Sequence, residues 1–329
     1  MTALASKGLS LSERLLNSHN TSNPGQFSES MHRAWWMSYL CRCNASIVSC
    51  TPFDEPIDSS SSKAPYPSSG EAPEVWAQYI RAEEALVAAT LMLAALLKGF
   101  NSETTASSFN RNIGALDAVI THQLNQSNLG QPRAPVDNPE SKLAICLHIT
   151  TRARLMSARI KLHRYRAFMD HPQILRRFES IPPLDTSIGL AQGQVMHGNS
   201  GISQKASLVF PFSSNHSHEI CLESATGIAT ELETLAGMGV RTTPVACSAN
   251  LAGFTLMMIS HFQTSANAPD HSMPSSAILD VHNKCKTQVK IAVNALNRFS
   301  NAFSFVKALK GQLVTAAVAC DLYDTDLSN

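Results

Sequence analysis

Apolar residues in this chain recur three and four apart far more often than they alternate, and each such stretch predicts an amphipathic helix. Trp36, Tyr39, Leu40, Cys43 and Ile47 form the first stripe, entered through Ser28, Glu29 and Ser30. Pro73 and Glu74 suit the first turn of a second helix running to Lys98, with Gly99 as its stop. Beyond Glu84 that helix is apolar nearly all round, which predicts a central position. Phe109, Ile113, Leu116, Ile120 and Leu124 mark a third, broken by the Gly- and Pro-bearing stretch 125–139. The longest uninterrupted segment runs from Glu140 to about Met169, with Pro172 just past its end.

The C-terminal half continues the pattern. Cys221, Ala225, Ile228, Leu232 and Leu235 share one face of a helix closed by Gly237 and Gly239. Pro244 opens an almost wholly apolar helix through Leu251, Phe254 and Leu256 to Ile259. Val281, Cys285, Val289, Ala292, Leu296, Phe299 and Phe303 mark another, which Gly311 separates from a short terminal helix ending near Leu322. Two stretches break the rhythm. Residues 50–73 hold five prolines and a serine run, and residues 181–217 are rich in Pro, Gly and Ser; both read as irregular excursions. No strand pair and no fixed-period repeat is evident. The expectation is an all-α, irregular multi-helix fold with long Pro/Ser/Gly-rich loops, one domain over 1–329.

Composition narrows the picture without naming a chemistry. The 329 residues are 44% hydrophobic and only 16% charged, against roughly 25% charged in average soluble chains, so the polar coat is thin. A net charge of +1 excludes a globally basic nucleic-acid binder. The eight cysteines are scattered with no Cys-x-x-Cys, which argues against a disulfide framework or a stoichiometric zinc site and predicts reduced thiols in a soluble intracellular protein. The apolar run 85–97 is far short of the ~20 residues that span a bilayer, so no membrane partner is expected.

Signatures of catalysis are missing: no Gly-x-Ser-x-Gly, no His-Glu-x-x-His, no Walker loop, no Gly-x-Gly-x-x-Gly and no Asp-Asp pair. Ser304-Phe-Val-Lys307 matches Ser-x-x-Lys without its companion motifs, on a helix where Phe303 and Val306 pack, and reads as chance. His216, His218 and Cys221 lack a fourth ligand and read as part of a helix N-terminus. Cys41 and Cys43 point to different helix faces and cannot chelate together. Arg152, Arg159, Lys161 and Arg166 scatter around their helix, which favours pairing with acids or cover of apolar neighbours over phosphate contact. His163 reads as packed or hydrogen-bonded. Trp35 and Trp36, adjacent on a helix, read as a rim contact beside a core anchor.

Arg33-Ala-Trp35-Trp36, followed by Tyr39-Leu40 and a Pro-containing stretch, resembles the hallmark segment of the fungal-specific transcription factor domain, the middle homology region of fungal zinc-cluster regulators. Arg159-Ile-Lys-Leu162-His163-Arg164 is similar to that family's long helix ending in Leu-His-Arg, and the two helices that follow come in the family's order. The resemblance covers about residues 26–322. Cys41 stands where an Asp is frequent, and Tyr165 replaces the family's Pro, so this helix should continue further. The six-cysteine cluster and its basic linker are not in this sequence, and residues 3–16 look like the tail of an earlier helix. What the resemblance implies is a regulatory region without its DNA-binding domain: nuclear, not an enzyme, with no cofactor and no metal. It would act through intramolecular contacts, the transcription machinery or a DNA-binding partner, with a small-molecule effector admitted. Arg33, Trp35, Trp36, Tyr39, Arg159, Leu162, His163 and Arg164 would be structural or regulatory. The other reading the helices allow is a small-molecule-binding or enzymatic domain with its ligand cavity between helices.

Overall fold

The computed structural model describes residues 26–50, 66–67, 74–100, 102–129, 138–178, 208–240, 242–265 and 275–324. Among them lie nine helices and no strand, in accord with the all-α reading. They are α1 (Gln26–Ser49), α2 (Glu74–Lys98), α3 (Glu103–Leu129), α4 (Pro139–Phe168), α5 (Pro172–Phe178), α6 (Ser214–Gly237), α7 (Thr243–Ser265), α8 (Ser275–Ser300) and α9 (Ser304–Val318). Most of the expected 50–73 excursion, much of that over 181–217 and the early helix expected over 3–16 lie outside the described residues.

The centre is α4. Its N-terminus is fixed locally, with Pro139 at the first turn and the Asn138 side chain accepting from the Glu140 amide at 2.9 Å. From Leu147 on it is buried on nearly every side, packed on α2, α3, α6 and α7. It continues through Tyr165 to Phe168, as the replacement of proline there predicts. The largest core joins Leu155, Ile160 and Phe168 of α4 to Ile228 and Leu232 of α6, Met257 of α7 and Phe299 of α8. A separate cluster seats α1 on α2 through Trp35, Trp36, Tyr39, Trp76 and Ile80.

Four expectations need correction. α2 holds a central position only to Thr90, packed on α1, α3 and α4; past it Leu96 is buried but Leu97 is exposed. α3 does not break at Asn125 but runs to Leu129, held by Ser127 bonding to the Leu124 carbonyl and by Arg152 reaching Asn128. α6 starts at Ser214, inside the expected 181–217 excursion, because the Ser213 hydroxyl caps the His216 amide at 3.2 Å. The break near the C-terminus falls at 301–303 and not at Gly311, which lies inside α9. There the Ala302 and Phe303 amides both bond to the Phe299 carbonyl at 3.0 Å, and Phe303 turns onto the core.

α7 has the length and apolarity of a membrane span over Pro244–Thr264, but 67% of its most apolar window is buried by neighbouring helices. Its composition is accounted for by packing. The crossing with α9 is so close that a Cβ on Gly253 would stand 2.5 Å from Leu313 Cδ1.

Candidate functional site

The cations of α4 point in several directions, and Arg152, Arg154 and Arg159 meet acids on other helices. Arg152 bonds to Glu231 of α6. Arg159 lies 3.7 Å from Asp117 of α3 and 3.6 Å from Glu223 of α6. Arg166 bonds to Asp170 at 3.0 Å and donates to the Phe212 carbonyl. This is the pairing that the scatter of these residues predicts.

Arg154 is the buried one. Its guanidinium grips Glu83 of α2 through two bonds of 2.6 and 2.7 Å, and it also donates to Asn44 of α1 and, at 3.4 Å, to the Pro244 carbonyl of α7. Both partners are essentially solvent-free, at 1% and 0% exposure. Burial works against the charge on Arg154, and Glu83 more than offsets it, so the guanidinium holds its proton more firmly than usual.

The motif residues divide into two groups. Trp35, Trp36 and Tyr39 are all buried, so the expected rim position of Trp35 is wrong. Trp35 stacks parallel to Tyr39 at 6.0 Å and meets Trp36 edge-on at 4.6 Å, within the apolar cluster shared with α2. Arg33 bonds to Glu29 at 2.9 Å and to Glu140 at 3.2 Å, tying α1 to the start of α4. Leu162 is buried, and His163 is buried and hydrogen-bonded, as expected.

His163 forms a suggestive line. Its Nε2 lies 3.1 Å from Asp117 and its Nδ1 3.2 Å from the Ser217 hydroxyl, an Asp–His–Ser order that resembles a hydrolase relay. Burial lowers the His163 pKa and outweighs the pull of Asp117, so the ring is neutral. Nε2 then donates to the carboxylate and Nδ1 accepts from Ser217. Burial also raises the Asp117 pKa, yet the hydrogen bond from His163 and the nearby Arg159 guanidinium hold it below the usual range. But His163 and Ser217 are both fully buried, and Phe212 covers the imidazole at 4.2 Å between centroids. No substrate can reach the hydroxyl. The line staples α3, α4 and α6.

The neighbouring histidines do not gather at one point. His216 meets His163 and Phe212, whereas His218 stacks on Phe262 at 4.2 Å and turns Nδ1 to the Ser214 carbonyl. Among the described residues no three His, Cys, Asp or Glu side chains stand together. Burial lowers the pKa of both His148 and His218 to about 4, so the fold holds them neutral where the unfolded chain is protonated. Between about pH 6.5 and 4 the unfolded state therefore binds more protons, and stability falls as the pH is lowered. Melting temperatures measured from pH 7.5 down to 4.5 should drop by at least about 5 °C. A flat profile would place these rings in contact with water.

A different face of α4 opens to solvent. Arg154, Ser157, Lys161 and Arg164 follow one another at spacings of three and four and line one wall of a cavity of about 640 Å³. Arg176, Arg177 and Phe178 of α5 line a second wall, and Cys247, Ser248, Asn250, Leu251 and Phe254 of α7 a third; Gln312 of α9 completes the rim. Ser157 and Ser248, both buried, share a hydrogen bond of 2.9 Å deep in the site, and the Arg154–Glu83 pair lies beneath. The Asn250 side-chain oxygen is buried without a partner. Five lining side chains are cationic, and none of the described lining residues is a carboxylate.

The general scatter of basic residues hid this stripe. The signal was the spacing 154–157–161–164 followed, past Pro172, by the Arg176-Arg177 pair. Of the motif residues, Arg164 alone lies on the cavity wall. Comparison of the chain with protein families, with curated proteins and with solved structures finds no match.

Proposed function

We propose that this chain is a regulatory helical domain that responds to a small molecule held between its helices and, as its resemblance to the fungal transcription factor domain suggests, delivers that response to transcription in the nucleus. The observation carrying this reading is the cavity. It is of ligand size, is walled by α4, α5 and α7 with α9 at the rim, and presents several polar groups beside Leu251, Phe254 and Phe178. A ligand touching separate helices shifts their relative packing by its differential affinity for two arrangements, which is what regulation requires. The placement of the Trp35–Trp36 pair and of Leu162-His163 at packing contacts supports the resemblance, since residues shared for their fold belong there. The sealed Asp117–His163–Ser217 line favours a regulatory over a hydrolytic role.

Contact with DNA would then come from another segment or a partner. Fused to an unrelated DNA-binding domain, the chain should change reporter output several-fold in a fungal host. Alone, it should bind DNA only weakly and lose that binding as salt rises. A folded, nuclear fusion that leaves the reporter unchanged would refute the transcriptional output. Sequence-specific binding by the unfused chain would refute the division of labour.

A further inference from the structure

We propose that the exposed face shared by α8 and α9 rests on the phosphate backbone of duplex DNA without reading its sequence, and so holds this domain against a duplex that another segment or a partner selects. The choice of DNA rests on the transcriptional reading above. Charge along the chain is unevenly spread. From Val281 to Cys320 there are six basic residues and no Asp or Glu, while the rest of the chain carries 20 basic and 25 acidic residues. A nearly neutral chain is thus polarised, and it turns its basic side to a polyanion.

The fold gathers this charge on one surface. α8 and α9 form an antiparallel hairpin about the turn at 301–303, with Lys310 donating to the Asn297 side chain at 2.7 Å and Lys286 paired at 3.0 Å with Asp324, past the end of α9. Lys284, Lys290, Arg298 and Lys307 are exposed, and none of the four has an acid partner among the described residues. Lys310 meets a neutral amide, so its charge is not offset there. The exposed acids next in sequence, Asp280 and Asp321, stand outside the basic stretch.

The solvent face of α8 specifies the partner. Asn283, Thr287, Lys290, Asn294, Arg298 and, just past the helix, Asn301 follow at spacings of three and four, and all six are exposed. Each carries a side-chain N–H or O–H, and none is apolar. Lys, Arg, Asn and Thr are residues that bond to phosphate oxygens. An inserting membrane contact needs apolar residues among the cations, and a protein partner needs an anchoring aromatic. Here the exposed Leu279 and Phe305 stand at opposite ends of the hairpin. Lys284 to Arg298 covers about 21 Å of helix, which matches about six base-pair steps of duplex. Even a weak hold of this kind strengthens a linked DNA contact, because the second contact is intramolecular.

Fluorescence anisotropy of the purified chain with a short duplex in two unrelated sequences, between about 50 and 200 mM salt, tests this. Both sequences should bind within about twofold of each other, with log K falling against log salt at a slope of about −4 for four phosphate contacts. K290Q/R298Q should make that slope shallower by about 2 and weaken binding at least tenfold at the lowest salt. K98Q/R111Q, which removes the same charge from exposed positions on α2 and α3, should leave binding within twofold. In the unaltered protein, bound duplex should slow acetylation of Lys284, Lys290 and Lys307 but not of Lys98, as read by peptide mass spectrometry, so a poorly folded variant would not blunt the test.

Equal losses in the two double variants, or no protection of the three lysines, would overturn the assignment. So would a strong preference for one sequence. Stronger protection of the same lysines by polyglutamate would overturn it in favour of an acidic protein, and stronger protection by phosphatidylserine vesicles in favour of a membrane. If the lysines stay unprotected while the reporter fusion responds, the DNA contact falls and the transcriptional reading survives. If the duplex binds as stated and the fusion is silent, that reading falls and the phosphate contact stands.

Discussion

Glu83→Ala should destabilise the fold by about 3–5 kcal/mol, the largest effect expected of any single substitution of a charged residue here. The reason is Arg154. Removing the carboxylate leaves a guanidinium at 1% exposure with only the Asn44 side chain and the Pro244 carbonyl to meet its charge. The Tyr79 hydroxyl would lose its partner as well, since burial and the proximity of Glu83 together hold its proton far more tightly than usual. Domain stabilities are on the order of 5–15 kcal/mol, so the variant would sit near its unfolding threshold. Replacing both partners, as in Glu83→Leu with Arg154→Met, should recover most of the loss, because an apolar pair of similar volume needs no desolvation of charge. Urea titration of the two variants and the parent measures this, and a loss below about 1 kcal/mol for Glu83→Ala would mean that water reaches Arg154.

The pair also connects the scaffold to the cavity. Arg154 is shared, since its buried end reaches α1, α2 and α7 and its side chain lines the site.

Helices were legible in the sequence because their apolar stripes are one-sided: Cys221 to Leu235 on α6 and Cys285 to Phe299 on α8 are buried as their spacing predicts. The errors arose where a local signal met a tertiary contact. A Cβ on Gly311 would meet nothing within 4 Å, so the residue answers no packing need and simply stays helical in α9, while the turn at 301–303 is set by Phe303 reaching the core. The burial of α2 was overestimated only past Thr90, since apolar composition along a helix does not tell where its packing partners end. The cavity was hidden for another reason. Arg154, Lys161 and Arg164 share a stripe that is readable by spacing, but only the neighbouring helices decide which cations meet carboxylates, and Asp117, Glu231 and Glu83 come from segments far away in sequence.

Trp36→Ala should cost about 3–5 kcal/mol, and the way that loss appears should reveal how α1 is held. The Trp36 indole is 1% exposed, stacked on Tyr66 at 4.9 Å and edge-on to Tyr39 at 5.4 Å. It belongs to the cluster that joins α1 to α2 apart from the main core around α4. Besides these apolar contacts, polar ties from Arg33 to Glu140, from Arg154 to Asn44 and from Tyr39 to Glu84 at 2.8 Å secure α1. Arg33 is partly exposed, so its pair with Glu140 adds little in water. Truncating the indole should thus release α1 before the rest of the bundle unfolds. Hydrogen exchange would show protection lost across Gln26–Ser49 and retained in α6 and α8. Trp35→Ala should behave the same way, because that ring is just as buried. Loss of protection spread evenly over all helices would mean that the two clusters unfold as one unit. A stability change below about 1 kcal/mol would place Trp36 outside the core altogether.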